Sequence, residues 1–105
     1  MTVFSDPASV SPRNVVAASV RLRHEAGLHA RPSVKLTKLA KRFSSRIFLA
    51  ASADGPWIDA KSIVKLMAAK TPHNSILHFR AEGADAQAAV DALIGLVEGD
   101  FADDG

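Results

Sequence analysis

The chain predicts an α+β fold in which helices cover one face of a four-stranded sheet. Three observations lead there: two runs with strand-like alternation, two long stretches with helical apolar spacing, and turn chemistry between the remaining short elements. With 105 residues and 48% hydrophobic content, the chain can bury one modest core and not two. The order of elements reads βαββαβα.

The first strand is expected at Val15–Leu22, where Val16, Ala18, Val20 and Leu22 share one face. A loop over His24–Leu28 leads into a helix from Ala30 to Phe43. Its Leu36, Leu39, Ala40 and Phe43 recur at i, i+3, i+4 and i+7 and form the expected core stripe. Ser44-Ser45 ends it. A hairpin follows, with strands at Arg46–Ser52 and Trp57–Ala60 around an Asp54-Gly55-Pro56 turn. Ser62 is placed to cap a short helix through about Ala69, and Thr71-Pro72-His73-Asn74 breaks the pattern. Ser75–Glu82 alternates as a half-buried strand, with Leu77 and Phe79 inward. The Ala-rich stretch from Ala84 to about Glu98 closes the chain as an amphipathic helix through Ala86, Val90, Leu93, Ile94 and Val97. Met1–Asn14 shows no sustained period and reads as a flexible tail to which the sequence assigns no function.

Composition narrows the function. The chain has no cysteine, which excludes a disulfide framework and a thiolate metal site and fits a reducing cytoplasm. The first 14 residues lack a basic region followed by an apolar run, and no stretch has membrane-spanning length, so a soluble cytoplasmic protein without membrane insertion is expected. The net charge of +2 conceals a polarity along the sequence. Val20–Arg46 holds eight basic residues against Glu25 alone, whereas Glu82–Gly105 holds seven acidic residues and no basic one. The four histidines, His24, His29, His73 and His78, match no metal-ligand spacing, and no metal or cofactor is expected.

The chemistry is concentrated in Gly27-Leu28-His29-Ala30-Arg31-Pro32. Gly27 can adopt the positive φ of a tight lead-in turn, and Pro32 suits a first helical turn, where its missing N–H costs nothing. A helix beginning there points unpaired N–H groups and the positive end of its dipole at the space beside His29, which favours an anion such as a phosphoryl group. The same potential keeps the imidazole neutral, with a lone pair free to attack phosphorus, and Arg31 neutralises the oxygens. As an isolated residue, His29 would read better as an ordinary cap or loop histidine. Farther along the helix, Arg31, Lys35, Lys38 and Arg42 lie within about 60° of arc, a basic ridge that Lys41 flanks. Such a ridge is either a solvated face or a surface that steers an acidic partner toward His29.

These motifs together resemble the HPr family of phosphocarrier proteins of the phosphoenolpyruvate-dependent sugar phosphotransferase system. The Gly27–Pro32 segment is similar to the family's phosphohistidine site. Ala60-Lys61-Ser62-Ile63-Val64-Lys65-Leu66-Met67 is similar to its regulatory serine region, and Ala81-Glu82-Gly83-Ala84-Asp85-Ala86 to the start of its last helix. The resemblance runs from Val15 to Phe101. It implies an open-faced β-sandwich with a four-stranded antiparallel sheet and three helices on one face, in a domain of residues 15–101 between a tail of residues 1–14 and an acidic tail of residues 102–105. It further implies a monomeric phosphoryl carrier, not an enzyme on its own, that takes phosphate from enzyme I on His29 at Nδ1 and donates it to IIA proteins or domains.

Under this resemblance Arg31 stabilises the phosphate, and Lys35, Lys38, Lys41, Val64 and Met67 form the partner surface. Ser62 becomes a site for HPr kinase/phosphorylase, although as a helix cap it needs no other role. Lys70 and Asn74 stand where the family commonly has glycines, Asn74 being the better suited to a left-handed conformation. A nitrogen-related regulatory paralogue uses the same histidine and is the alternative reading. A basic nucleic-acid-binding module is less supported, because the basic helix lacks interleaved aromatic residues, and no nucleic acid is expected as a partner.

Overall fold

The structure is a computed structural model and describes residues 15–23, 27–28, 30–69, 71–72 and 74–101. Among these are strands β1 (Val15–Arg21), β2 (Arg46–Ala50), β3 (Ile58–Asp59) and β4 (Ile76–Glu82), and helices α1 (Ala30–Ala40), α2 (Ile63–Ala69) and α3 (Ala86–Glu98). The order along the chain is the βαββαβα expected from the sequence. The strands form one antiparallel sheet in the spatial order β1-β4-β2-β3.

Alternation sets which face is buried. On β4, Leu77, Phe79 and Ala81 are buried while Ile76, His78, Arg80 and Glu82 face outward. The same period on β1 turns Val16, Ala18 and Val20 inward. These side chains meet Ile47 and Leu49 of β2, Leu36 of α1, Leu66 of α2, and Val90, Leu93 and Val97 of α3 in one core. The opposite face of the sheet carries no helix among the described residues. No helix among them is long and apolar enough to cross a membrane.

Several boundaries depart from the sequence reading, most of all at the first helix and the hairpin. The first helix stops at Ala40 and continues as tight turns, with Arg42 N–H donating to Leu39 O and Phe43 N–H to Ala40 O. Its buried stripe is Pro32, Ser33, Leu36, Thr37 and Ala40, whereas Leu39 and Phe43 are only half-buried. Hydrophobicity alone placed the stripe too far around the helix, because small hydroxyl residues occupy the contact; Thr37 Oγ1 satisfies itself by donating to Ala60 O at 3.3 Å. The hairpin strands are also shorter than expected, since the chain leaves β2 after Ala50, turns with Gly55 N–H donating to Ser52 O, and pairs again only at Ile58–Asp59.

The turn between α1 and β2 is joined to the start of α3 by one carboxylate. Asp85 stands at the N-terminal boundary of α3 but makes no side-chain bond to its own helix. Instead its oxygens accept the N–H groups of Ser44 and Ser45, each at 2.9 Å, and the Ser45 hydroxyl. Gly83, at φ 147°, allows the approach, for a Cβ there would lie 2.9 Å from Ser45 Cα.

The Ser45 hydroxyl first, and then the Ser44 N–H, hold the Asp85 carboxyl down from 3.8 to about 2. A carboxyl depressed on folding adds stability that is fully present above its unfolded value and is lost as pH falls through its folded one. The melting temperature of Asp85→Asn should therefore fall below wild type above about pH 4 and converge with it as the pH approaches about 2. Thermal unfolding of both proteins across that range is the check; a gap that ignores pH would remove the charged bond from this account.

Candidate functional site

The site is built by the segment that carries the chain from β1 to α1. Leu22 closes the end of β1 by donating its N–H to Ser75 O, and Asn74 N–H donates to Leu22 O, both at 2.8 Å. Asn74 takes the left-handed conformation at φ 71° that its short polar side chain tolerates. Gly27 then turns with φ 75°. Leu28 is buried at 2% exposure, and its N–H donates to Thr71 O at 2.8 Å. Two residues later α1 begins, with Ala30 and Arg31 exposed and Pro32 and Ser33 buried.

His29 lies between Leu28 and Ala30 and is outside the described residues, as are residues 1–14, 24–26, 70, 73 and 102–105, which include both proposed tails, His24, Lys70 and His73. The backbone on either side of His29 is nevertheless described. It enters position 29 from a buried, hydrogen-bonded leucine and leaves it as the first turn of an 11-residue helix. The first-turn N–H groups of a helix, Pro32 excepted here, and the positive end of its dipole favour negative charge in general at such an end. Arg31 is exposed one residue into the helix.

The basic ridge divides. Lys38, Lys41 and Arg42 are exposed, but Lys35 is half-buried and its ammonium donates to Phe101 O at 2.7 Å. Phe101 is buried at 4% because α3 ends in a hydrogen-bonded reversal: Asp100 N–H donates to Val97 O and Phe101 N–H to Leu96 O, with Asp100 at φ 57°. Sequence reasoning missed this clasp. Asp100 and Phe101 both take left-handed conformations, at φ 57° and 59°, and nothing in the sequence pattern tied Phe101 to a lysine 66 residues away.

Ser62 precedes α2, and its Oγ accepts the Lys65 N–H at 3.3 Å while its carbonyl accepts the Leu66 N–H at 3.0 Å. It is a helix cap. On α2, Leu66 is buried and Ile63 half-buried, whereas Val64 and Met67 are 74% and 43% exposed. Because α2 packs against α1, this exposed apolar pair and the basic ridge belong to neighbouring helices. Val34 on α1 is exposed as well, an apolar position that the sequence reading did not single out.

Comparison with known proteins places this arrangement. The family model described as "PTS HPr component phosphorylation site" matches residues 16–99. The chain is 44% identical over 77 residues to the multiphosphoryl transfer protein of Vibrio cholerae, covering 72% of this chain and only 19% of that protein's length. It is 40% identical to the phosphocarrier protein HPr of Cupriavidus necator, over 74% of this chain and 85% of the relative. Among solved structures, HPr-C-His from Thermoanaerobacter tengcongensis superposes with a TM-score of 0.77 at 30% identity, covering 86% of this chain and 99% of that one. By sequence and by fold, the chain belongs to the HPr family of phosphocarrier proteins of the phosphotransferase system.

Proposed function

We propose that this chain accepts a phosphoryl group from phospho-enzyme I on His29 and passes it to IIA proteins or domains of the sugar phosphotransferase system. The observation that carries this reading is the start of α1 at Ala30, immediately after the position of His29 and behind the buried anchor of Leu28. In the first transfer a lone pair of the neutral imidazole, at Nδ1 by family resemblance, forms the new bond to phosphorus while the donor's histidine nitrogen leaves with its electron pair. Arg31 and the first-turn N–H groups balance the phosphoryl charge. Handing the group on is the same step reversed, with a different histidine. The chain acts as a covalent carrier, not as an enzyme alone, and needs no metal or cofactor.

Docking in this reading uses the exposed part of the ridge, Lys38 and Lys41, together with Val64 and Met67. Positive potential accelerates encounter with an acidic partner face, and the apolar pair supplies area to bury. Lys35 contributes less directly, since its ammonium is held by Phe101 O. Ser62 then becomes the regulatory position for HPr kinase/phosphorylase, on the helix that carries the docking residues.

His29→Ala should abolish phosphate gain from enzyme I and phosphoenolpyruvate while leaving the circular dichroism spectrum unchanged. A folded variant that is phosphorylated at the wild-type rate would reject His29 as the acceptor. Arg31→Ala keeps the acceptor but loses one charge-assisted contact, so transfer should slow by about tenfold to a hundredfold in quench-flow assays. Ser62→Asp places a charge beside the docking surface without removing an oxygen cap, and transfer from enzyme I should slow by about tenfold with little change in melting temperature. Ser62→Ala controls for the lost cap. Equal transfer rates for the two variants would leave Ser62 a helix cap and nothing more.

A further inference from the structure

The face of the sheet away from the helices combines cations and aromatic rings that the sequence scatters from Arg21 to Arg80. Pairing across β1, β4 and β2 arranges its outward residues in four rows about 7 Å apart: Arg21-Ile76, Ser19-His78-Ala50, Ala17-Arg80-Phe48 and Val15-Glu82-Arg46. Trp57, the only tryptophan of the chain, reaches the second row, where with Ala53, Ser19 and His78 it borders a groove of about 330 Å³. Phe48, in the third row, borders a second depression of about 320 Å³ together with Arg46 and Lys61. Both rings are half-buried, and neither belongs to the hydrophobic core.

The charge of the rows suits an anionic partner. They hold three arginines against one acid, Glu82, which Arg80 already engages at 2.6 Å. Arg21 and Arg46, in the first and last rows, are exposed and make no salt bridge among the described residues. The nearby acids belong to β3 and the turn before it: Asp59 accepts the Lys61 N–H at 2.9 Å, and Asp54 is exposed. Aromatic rings set one row apart between arginines are what stacks successive bases of a single strand while cations follow its phosphates. The basic ridge of α1 has the charge for a polyanion but no ring within the helix. This face has both.

We propose that the open face of the sheet binds a short single-stranded oligonucleotide, one base stacking on Trp57 beside His78 and the next on Phe48, with Arg21 and Arg46 on the flanking phosphates. The step between rows, about 7 Å, is one that a single unstacked nucleotide bridges. Two grooves in neighbouring rows with a cation beyond each fit a strand better than a lone nucleotide, which would use only one of them. The face lies opposite the helices, so this binding is independent of the phosphate chemistry proposed at α1.

Trp57 reports on binding in the full-length chain. Titration with the hexanucleotide (dT)6 at low salt should quench its fluorescence saturably, because the indole stacks on a base. Removing one stacking ring costs about tenfold to a hundredfold in affinity. Phe48→Ala, read by Trp57 quenching, and Trp57→Ala, read by the anisotropy of fluorescein-labelled (dT)6, should each show that loss, while Trp57→Phe keeps most of the affinity. Arg21→Ala should lower the slope of log K against log salt by about 0.7, one phosphate contact on a single strand. Should Phe48→Ala fail to fold, Trp57→Ala beside Trp57→Phe and the salt slope of Arg21→Ala carry the test, since both positions lie outside the core. No saturable quenching up to about 1 mM (dT)6, above the usual range of non-specific binding, would overturn the proposal. So would equal affinity for the mononucleotide dTMP, or binding lost in Lys38→Glu/Lys41→Glu and kept in Trp57→Ala, as for a strand held by the ridge of α1.

Discussion

The approach to the start of α1 depends on one constraint: Leu28 cannot move without exposing itself and breaking its bond to Thr71. Its side chain is at 2% exposure and its N–H is spent on a carbonyl in the segment that leads into β4. That segment is in turn fixed to the end of β1 through Leu22 and Asn74. The loop before the helix is therefore held by the strand pair β1 and β4, the best-paired part of the sheet, with all seven β1 residues in register. A helix start hung on such a frame presents its free N–H groups at a fixed point. Preorganised donors stabilise charge without reorganising when it arrives, which is what the proposed role of His29 as phosphoryl acceptor would require.

The far end of α1 is held by different physics. There the chain turns through Ser44 and Ser45, and the Asp85 carboxylate collects both N–H groups and a hydroxyl. An aspartate preceding a helix would ordinarily cap that helix. Here the carboxylate serves another element, so the first turn of α3 goes without it and the α1–β2 turn gains a bonded anion. One end of α1 is thus placed by apolar burial and the other by a charge-assisted bond, and only the second responds to acid.

Much of this was legible in the sequence because period and turn chemistry act locally. The alternation of Ser75–Glu82 and of Val15–Leu22 assigned both strands, to within one residue, and their inward residues, and Ser62 was recognisable as a cap from its position before Ile63. Gly27 was recognisable as the left-handed lead-in and Ala30 as the helix start. What stayed hidden depended on contacts between distant segments. No periodicity shows that Ser33 and Thr37 are buried, since their hydroxyls make them look solvent-facing; for Thr37 only the carbonyl of Ala60 makes burial affordable in hydrogen-bond terms. Nor does a sequence reveal that Asp85 reaches Ser45 across 40 positions.

The charge polarity of the chain acquires a different meaning in three dimensions. Read linearly, a basic first half and an acidic last segment look like two separate surfaces. The clasp between Lys35 and Phe101 O brings the end of α3 against the basic helix within one turn of Arg31, and Asp100 is exposed there. The ridge is thus least purely cationic at its N-terminal half and most so at Lys38, Lys41 and Arg42, which pair with no acidic side chain among the described residues. Under the proposed function, an acidic partner steered by this field would be drawn first to the middle and far end of α1, beside α2.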